Sequence, residues 1–170
     1  LGSGATDALG TEWEVFWAPI EGLVVDGTFA YNKTDIVSTV CAACRQISGE
    51  INPAGNRVGR FPEMTASLGV TYRHPAFANF DAFYRIDANY QGKEYADATN
   101  VVWLAPYVMS NARIGIQDDR YKIELYGLNI FNNQVPQSIA QTTEQIGGRQ
   151  TITLTPPLKR TVGIRVGVKF

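Results

Sequence analysis

Hydrophobic and polar residues alternate along most of this chain with a period of two. In the last ten residues, Thr161 to Phe170, one parity reads Val162, Ile164, Val166, Val168, Phe170. The other reads Thr161, Gly163, Arg165, Gly167, Lys169. Successive side chains of a strand point to opposite faces, so this pattern predicts one long strand with an apolar face and a polar face. Soluble strands average about 5–6 residues, whereas a tilted strand needs about 9–11 to cross a bilayer's hydrocarbon layer.

The same pattern recurs upstream. Trp13, Val15 and Trp17 oppose Glu12 and Glu14, and after a turn at Pro19–Gly22 the set Leu23, Val25, Gly27, Phe29, Tyr31 opposes Asp26, Thr28, Asn32. Met64, Ala66, Leu68, Val70, Tyr72 form a third strand, and His74–Asn79 a turn. Phe80, Ala82, Tyr84, Ile86, Ala88, Tyr90 form a fourth, facing away from Asp81, Arg85 and Asp87. Val108, Ala112, Ile114, Ile116 and Tyr121, Ile123, Leu125, Gly127 make the fifth and sixth, joined by Asp118-Asp119-Arg120. The remaining stretches lose the alternation: residues 1–10 read as loop, as do Lys33–Arg60, Gly92–Pro106 and Asn132–Lys159. Seven antiparallel strands result, with connections that run short, long, short, long, short, long. Transmembrane barrels have tight periplasmic turns and long outer loops, and the registers here agree with that asymmetry.

Composition is compatible with this reading. No apolar run exceeds the five residues of Val101–Ala105, too short for a transmembrane helix. Hydrophobic content of 45% with a mean hydropathy of −0.12 is what a barrel gives when its lumen face dilutes its lipid face. A net charge of −1 gives no case for nucleic acid. The start LGSGATDALG has no initiator Met, basic region or apolar core, which predicts a processed or truncated end and not a signal peptide.

Several stretches carry a resemblance. Gly10–Asp35 is similar to a strand–turn–strand in which a Pro-x-x-Gly-Leu turn (Pro19–Leu23) precedes a Tyr-terminated strand. Gly59-Arg60-Phe61-Pro62 followed by Ser67–Tyr72, then Asn111–Ile116, then Tyr126–Asn132, resemble three further motifs in the same order. Together with Arg160–Phe170 they resemble the carboxy-terminal part of the barrel of TonB-dependent outer-membrane receptors. Asn132 departs from the acidic residue usual there, and the family does not require the cysteine pair.

The resemblance implies an all-β transmembrane antiparallel barrel of 22 strands, of which residues 1–170 supply the seven carboxy-terminal ones. It implies a bacterial outer-membrane location and active import of a scarce nutrient: a ferric siderophore or similar chelate, cobalamin, haem or a saccharide. Implied partners are outer-membrane lipid, a plug domain, the remaining strands, the TonB complex through an amino-terminal part, and a small-molecule ligand. The assembly machinery would read Gly163, Val166, Val168 and Phe170. No cofactor, catalytic residue or metal site is expected, and the protein is expected not to be an enzyme.

Several individual residues admit both a functional and a plainer role. Cys41 and Cys44 could form a redox pair, half a metal site or a loop disulfide; no strand–helix context or further ligands accompany them, and a disulfide fits an outer loop. His74 lacks a nucleophile to activate and reads as a turn residue. Asp81, Arg85 and Asp87 read as lumen charges that pair or meet a plug. Strand-end aromatics read as interfacial girdles. Ligand contacts are expected from loop residues at the mouth: Arg45, Arg57, Tyr95, Trp103, Gln134 and Arg149. Two other classes compete: a soluble all-β binding or structural module, and a small closed outer-membrane barrel with an adhesive or enzymatic role. Loop asymmetry and the terminal Phe170 count against the first, and the odd strand number and missing catalytic constellation against the second.

Overall fold

The computed structural model describes residues 4–143 and 150–169. In chain order its elements are β1 (Ala5–Ile20), β2 (Leu23–Ser38), α1 (Ala42–Ser48), β3 (Met64–Phe77), β4 (Phe80–Gln91), β5 (Glu94–Tyr95) and β6 (Trp103–Leu104). Then come β7 (Tyr107–Gln117), β8 (Tyr121–Leu128), β9 (Ser138–Thr143), β10 (Gln150–Thr155) and β11 (Thr161–Val168). Seven strands form a single antiparallel sheet in the order β1-β2-β3-β4-β7-β8-β11, while β5–β6 and β9–β10 are separate small hairpins within two of the long loops. Every neighbouring pair in the large sheet is consecutive once the hairpins are set aside, so the chain is a plain meander.

Register fixes the two faces. Trp13↔Phe29, Trp17↔Val25, Val25↔Val70, Val70↔Ile86, Tyr84↔Ile114, Ile114↔Leu125 and Leu125↔Ile164 are directly opposed, so one face is apolar from edge to edge. Nothing in the described residues covers it: Trp13 is 64% exposed and Ile164 72%. A water-exposed apolar patch of this extent is foreign to soluble monomers, and a sandwich would have put a second sheet against it. Tyr31 and Tyr90 lie toward the long-loop edge of this face, and Trp17, Tyr72, Tyr84 and Tyr121 toward the short-turn edge. Amphipathic rings favour such boundaries because one end is apolar and the other hydrogen-bonds.

The strands run longer than the apolar periodicity predicts. β1 begins at Ala5 and β2 continues to Ser38, pairing Asp7 with Asp35 and Leu9 with Lys33. Past Tyr31 the apolar parity turns polar, but the hydrogen-bonded ladder continues. The expected turns shrink for the same reason: Pro19 and Ile20 stay in β1, and β3 runs through His74 to Phe77. His74 is therefore a strand residue on the apolar face, its ring 5.5 Å from that of Tyr72 and 6.0 Å from that of Tyr84. Lengths fall from 16 residues in β1 and β2 to 8 in β8 and β11. The final strand ends at Val168, and Phe170 lies outside the described residues.

Candidate functional site

The polar face carries a belt of ion pairs. Arg85 on β4 donates Nη1 to Asp26 Oδ1 on β2 at 2.8 Å, Nη2 to Asp26 Oδ2 at 3.0 Å and Nε to Asp87 Oδ1 at 2.6 Å. Arg113 on β7 reaches Asp87 Oδ2 at 3.0 Å, so Asp87 bridges two arginines that stand directly opposite each other. Farther along, Arg165 on β11 and Lys122 share Glu124, whose side chain is fully buried, at 2.6 and 2.9 Å. Tyr126 lies over Gly163 and beneath the Arg165 guanidinium, 5.2 Å from ring centre to Cζ. These charges are consumed by the wall itself. Asp81, Arg85 and Asp87 form no acid–base pair: Asp87 is held between cations, and Asp81 sits apart near the short-turn end, opposite Gln117.

At the long-loop rim two strands and two loops border a cavity of about 120 Å³, lined by Asn32, Thr34, Arg57, Phe61, Glu63, Lys93 and Tyr95. Asn32 and Thr34 come from the polar parity of β2, Glu63 from just before β3, and Lys93 from just after β4. Arg57 reaches Glu63 Oε1 at 3.1 Å and Asp35 Oδ1 at 3.8 Å. The same Glu63 oxygen accepts from Tyr31 Oη at 3.2 Å. Tyr95 and Trp103 are cross-strand partners in β5–β6, and the Lys93 ammonium stands 4.4 Å from both ring centres and 2.9 Å from Tyr95 Oη.

Side-chain-to-backbone bonds between the two loops hold this cluster. Asn56 Nδ2 donates to the carbonyls of Ala98 and Thr99 at 3.0 and 3.2 Å. Asn100 accepts from Arg57 N at 2.8 Å and donates to Arg57 O at 2.9 Å. Asn100 takes a positive φ of 56°, which asparagine tolerates better than most residues. Beneath, Ala96, Leu104 and Ile139 form a small buried core with Val102, joining β9 to the same body. Glu94 is buried beside it, accepting from Gln91 Nε2 at 2.8 Å. Burial pushes its carboxyl above the ordinary value of 4.5, against the opposing pull of Arg60 and the Gln91 amide.

Of the six residues expected at the mouth, Arg57, Tyr95 and Trp103 meet at this rim. Arg45 is exposed on α1, away from the cavity lining, and Gln134 donates to the Asn132 carbonyl at 3.1 Å in the β8–β9 connection. Arg149 lies outside the described residues. Cys41 and Cys44 are joined by a disulfide, with Cα atoms 5.2 Å apart, and Cys41 caps α1. Gly163, Val166 and Val168 lie on β11: the valines share the apolar face and Gly163 the polar one. Lys93, Phe61 and Glu63 were missed. The signal for Lys93 was present, because Gln91, Lys93 and Tyr95 continue the polar parity of β4 past its end.

The buried Asn129 explains the Tyr126–Asn132 motif. Its backbone N–H donates to Asn111 Oδ1 at 3.1 Å, its Nδ2 to the carbonyls of Asn133 and Leu158 at 3.0 and 2.8 Å, and its Oδ1 accepts from Asn133 N at 2.7 Å. The Asn129 side chain thus ties the end of β8 to the approach to β11, while its backbone N–H is held by the Asn111 side chain of β7. Asn132 adopts a positive φ of 53°, a position that asparagine accepts readily.

The family model described as TonB dependent receptor-like, beta-barrel, matches residues 3–132. The chain is similar to the ferric yersiniabactin uptake receptor FyuA from Yersinia pestis, with a TM-score of 0.77, 21% identity, and coverage of 98% of this chain and 24% of that one. It is also similar to the siderophore receptor PiuA from Acinetobacter baumannii, with a TM-score of 0.75, 17% identity and coverage of 98% and 22%. For BauA, the ferric preacinetobactin receptor of Acinetobacter baumannii, the TM-score is 0.67, identity 17%, and coverage 96% and 22%. The chain thus spans about a quarter of the length of these receptors.

Proposed function

The chain belongs to the TonB-dependent receptor β-barrel family, and from that premise we propose that it forms seven strands of an outer-membrane receptor that imports a scarce nutrient. The observation that carries this reading is the one-sided sheet. An uncovered apolar face bordered by aromatic rings suits hydrocarbon, and an opposite face of paired charges suits a water-filled lumen or a plug. Strands β1 and β11 end the sheet at two open edges, whose N–H and C=O groups need partners inside a bilayer. Further strands, 22 in all, would close the barrel around a plug domain. Residues 1–170 are then the carboxy-terminal segment, with the long loops outside the cell and the short turns in the periplasm.

The transported ligand is a ferric siderophore or a similar chelate, taken up with energy delivered by TonB. The relatives of this shape are receptors for ferric siderophores, and the rim presents cations beside aromatic rings. Binding and release are the work, with no bond made or broken. The terminal strand, through Gly163, Val166, Val168 and Phe170, is the element the assembly machinery reads.

Radio-iron uptake tests this in cells that lack the full-length receptor and in cells with it restored. Loss of transport for at least one ferric chelate, regained on restoration and abolished by a protonophore, is the expected result. Uptake of every offered chelate at the parental rate would overturn the proposal, as would recovery of the protein in the soluble fraction.

A further inference from the structure

We infer that the apolar face seats one anionic lipid of the leaflet on the long-loop side, its phosphate on Arg160 and an acyl chain in a groove across β4, β7, β8 and β11. This rests on the membrane reading above and adds a partner on the side of the sheet that faces away from the lumen.

Side-chain volume is the first argument. Tyr84, Ile114, Leu125 and Ile164 are directly opposed in one row of the apolar face, and all are large. In the next row toward the long loops, Ile86 and Val162 flank Ala112 and Gly127, which face each other across β7 and β8. Two small residues side by side leave a dent, and a groove of about 380 Å³ lies there. From Ile86 to Val162 it crosses three strand spacings, about 14 Å. Ile86, Ile114, Leu125 and Val162 line it and are exposed, so its walls are hydrocarbon. Arg85 and Arg113 also border it, but their guanidinium groups are turned to the ion pairs on the opposite face. Such a trough matches an acyl chain, which carries neither charge nor hydrogen-bond donor.

Charge is the second argument. Arg160 precedes Val162 by two residues and shares its parity, which sets it about 7 Å beyond the end of the groove. Its Nη1 lies 3.5 Å from the Ile130 carbonyl, and the Ile130 side chain stands over Gly127 on this same face. At the long-loop edge of the face Lys33 is taken by Asp35 at 3.5 Å, whereas Arg160 makes no ion pair among the described residues. Asn132, whose Oδ1 accepts from Arg160 N at 3.3 Å, is neutral. A free guanidinium suits a phosphate, which it can bind through two parallel hydrogen bonds.

Placement is the third. Asn129 Nδ2 donates to the Leu158 carbonyl at 2.8 Å, so the backbone on both sides of Lys159 is tied to the turn after β8. Phe131 and Leu158 are exposed beside Arg160, large apolar groups at the level where a headgroup gives way to its chains. Cation above and hydrocarbon trough below is the order in which a lipid presents its own parts.

The test is native mass spectrometry of the full-length receptor in detergent, titrated with dioleoyl phosphatidylglycerol and dioleoyl phosphatidylcholine, whose chains are identical. The first phosphatidylglycerol should bind about fivefold more tightly than the first phosphatidylcholine. Arg160→Gln should remove that preference, and Asn132→Asp, which sets a carboxylate beside Arg160, should reduce it. Arg45→Gln, which removes an exposed cation on α1, should leave it unchanged. Ala112→Leu fills the groove and should weaken both lipids alike. Equal binding of the two lipids, a preference that survives Arg160→Gln, or an Ala112→Leu receptor that binds both as wild type would overturn the inference while leaving the receptor reading standing. Recovery of the full-length protein in the soluble fraction would overturn both.

Discussion

Arg85 and Asp26 lie two strands apart and still form a bidentate pair, at 2.8 and 3.0 Å. The strand between them is β3, and its residue in the gap is Gly69. A Cβ at Gly69 would collide with Arg85 Nη2 and stand 2.5 Å from Asp26 Oδ2. Gly69 is thus retained on the polar face for the lane it leaves open, and its Ser67 and Thr71 neighbours keep hydroxyls that bond to Thr28 and Arg85.

Gly69→Val should close that lane. Arg85 and Asp26 are each about one-third exposed, so their charges fall back on water and not into a dry interior. The expected loss is therefore about 1–2 kcal/mol, below that of a fully buried pair. Urea unfolding of the full-length receptor in detergent measures it, with Thr65→Val on the same face as control. Equal midpoints for the two variants would mean that the pair contributes nothing.

The two faces can be read optically. Trp13 and Trp17 share the apolar face, whereas Trp103 stands at the rim beside Lys93. In proteoliposomes, acyl chains carrying bromine should quench the emission that disappears in Trp13→Phe and Trp17→Phe. Aqueous iodide should quench the emission that disappears in Trp103→Phe. The reverse assignment would place the apolar face away from lipid.

Glu94 gives a pH dependence with a definite sign. Its folded carboxyl titrates above the ordinary value, so the folded loop binds the proton more tightly than the unfolded one does. The stabilisation is complete below the ordinary carboxylate range and is lost as pH rises through the raised value. Hydrogen exchange in the β5–β6 hairpin, corrected for the intrinsic rate, should therefore quicken over that interval. Glu94→Gln should flatten the profile, and a wild-type profile already flat would refute the assignment.

Much of the fold was legible because a bilayer enforces what the sequence displays. Each spanning segment must be apolar on one face, so period two marked all seven strands and their meander. The strand ends were not legible for the same reason. Beyond Tyr31 the outward residues Lys33 and Asp35 no longer meet hydrocarbon, and a hydrogen-bonded ladder carries no hydropathy signal. At the rim, residue type and position were enough to single out Arg57, Tyr95 and Trp103. Their convergence depends on Asn56 and Asn100, whose bonds join residues 42 and 43 positions apart, and no local pattern announces those. Lys93 went unrecognised because its ring partners come from a hairpin too short to show alternation.

The unequal strand lengths have a consequence for how anything reaches the rim cavity. Thr34 lines the cavity, yet β2 continues four residues beyond it to Ser38, paired there with Ala5 of β1. At about 3.3 Å per residue this raises a parapet of roughly 13 Å between the cavity and the apolar side of the sheet. A solute drifting along the membrane plane meets that parapet broadside. The cavity is open to visitors that descend from the bulk, and closed to those that creep in from the flank.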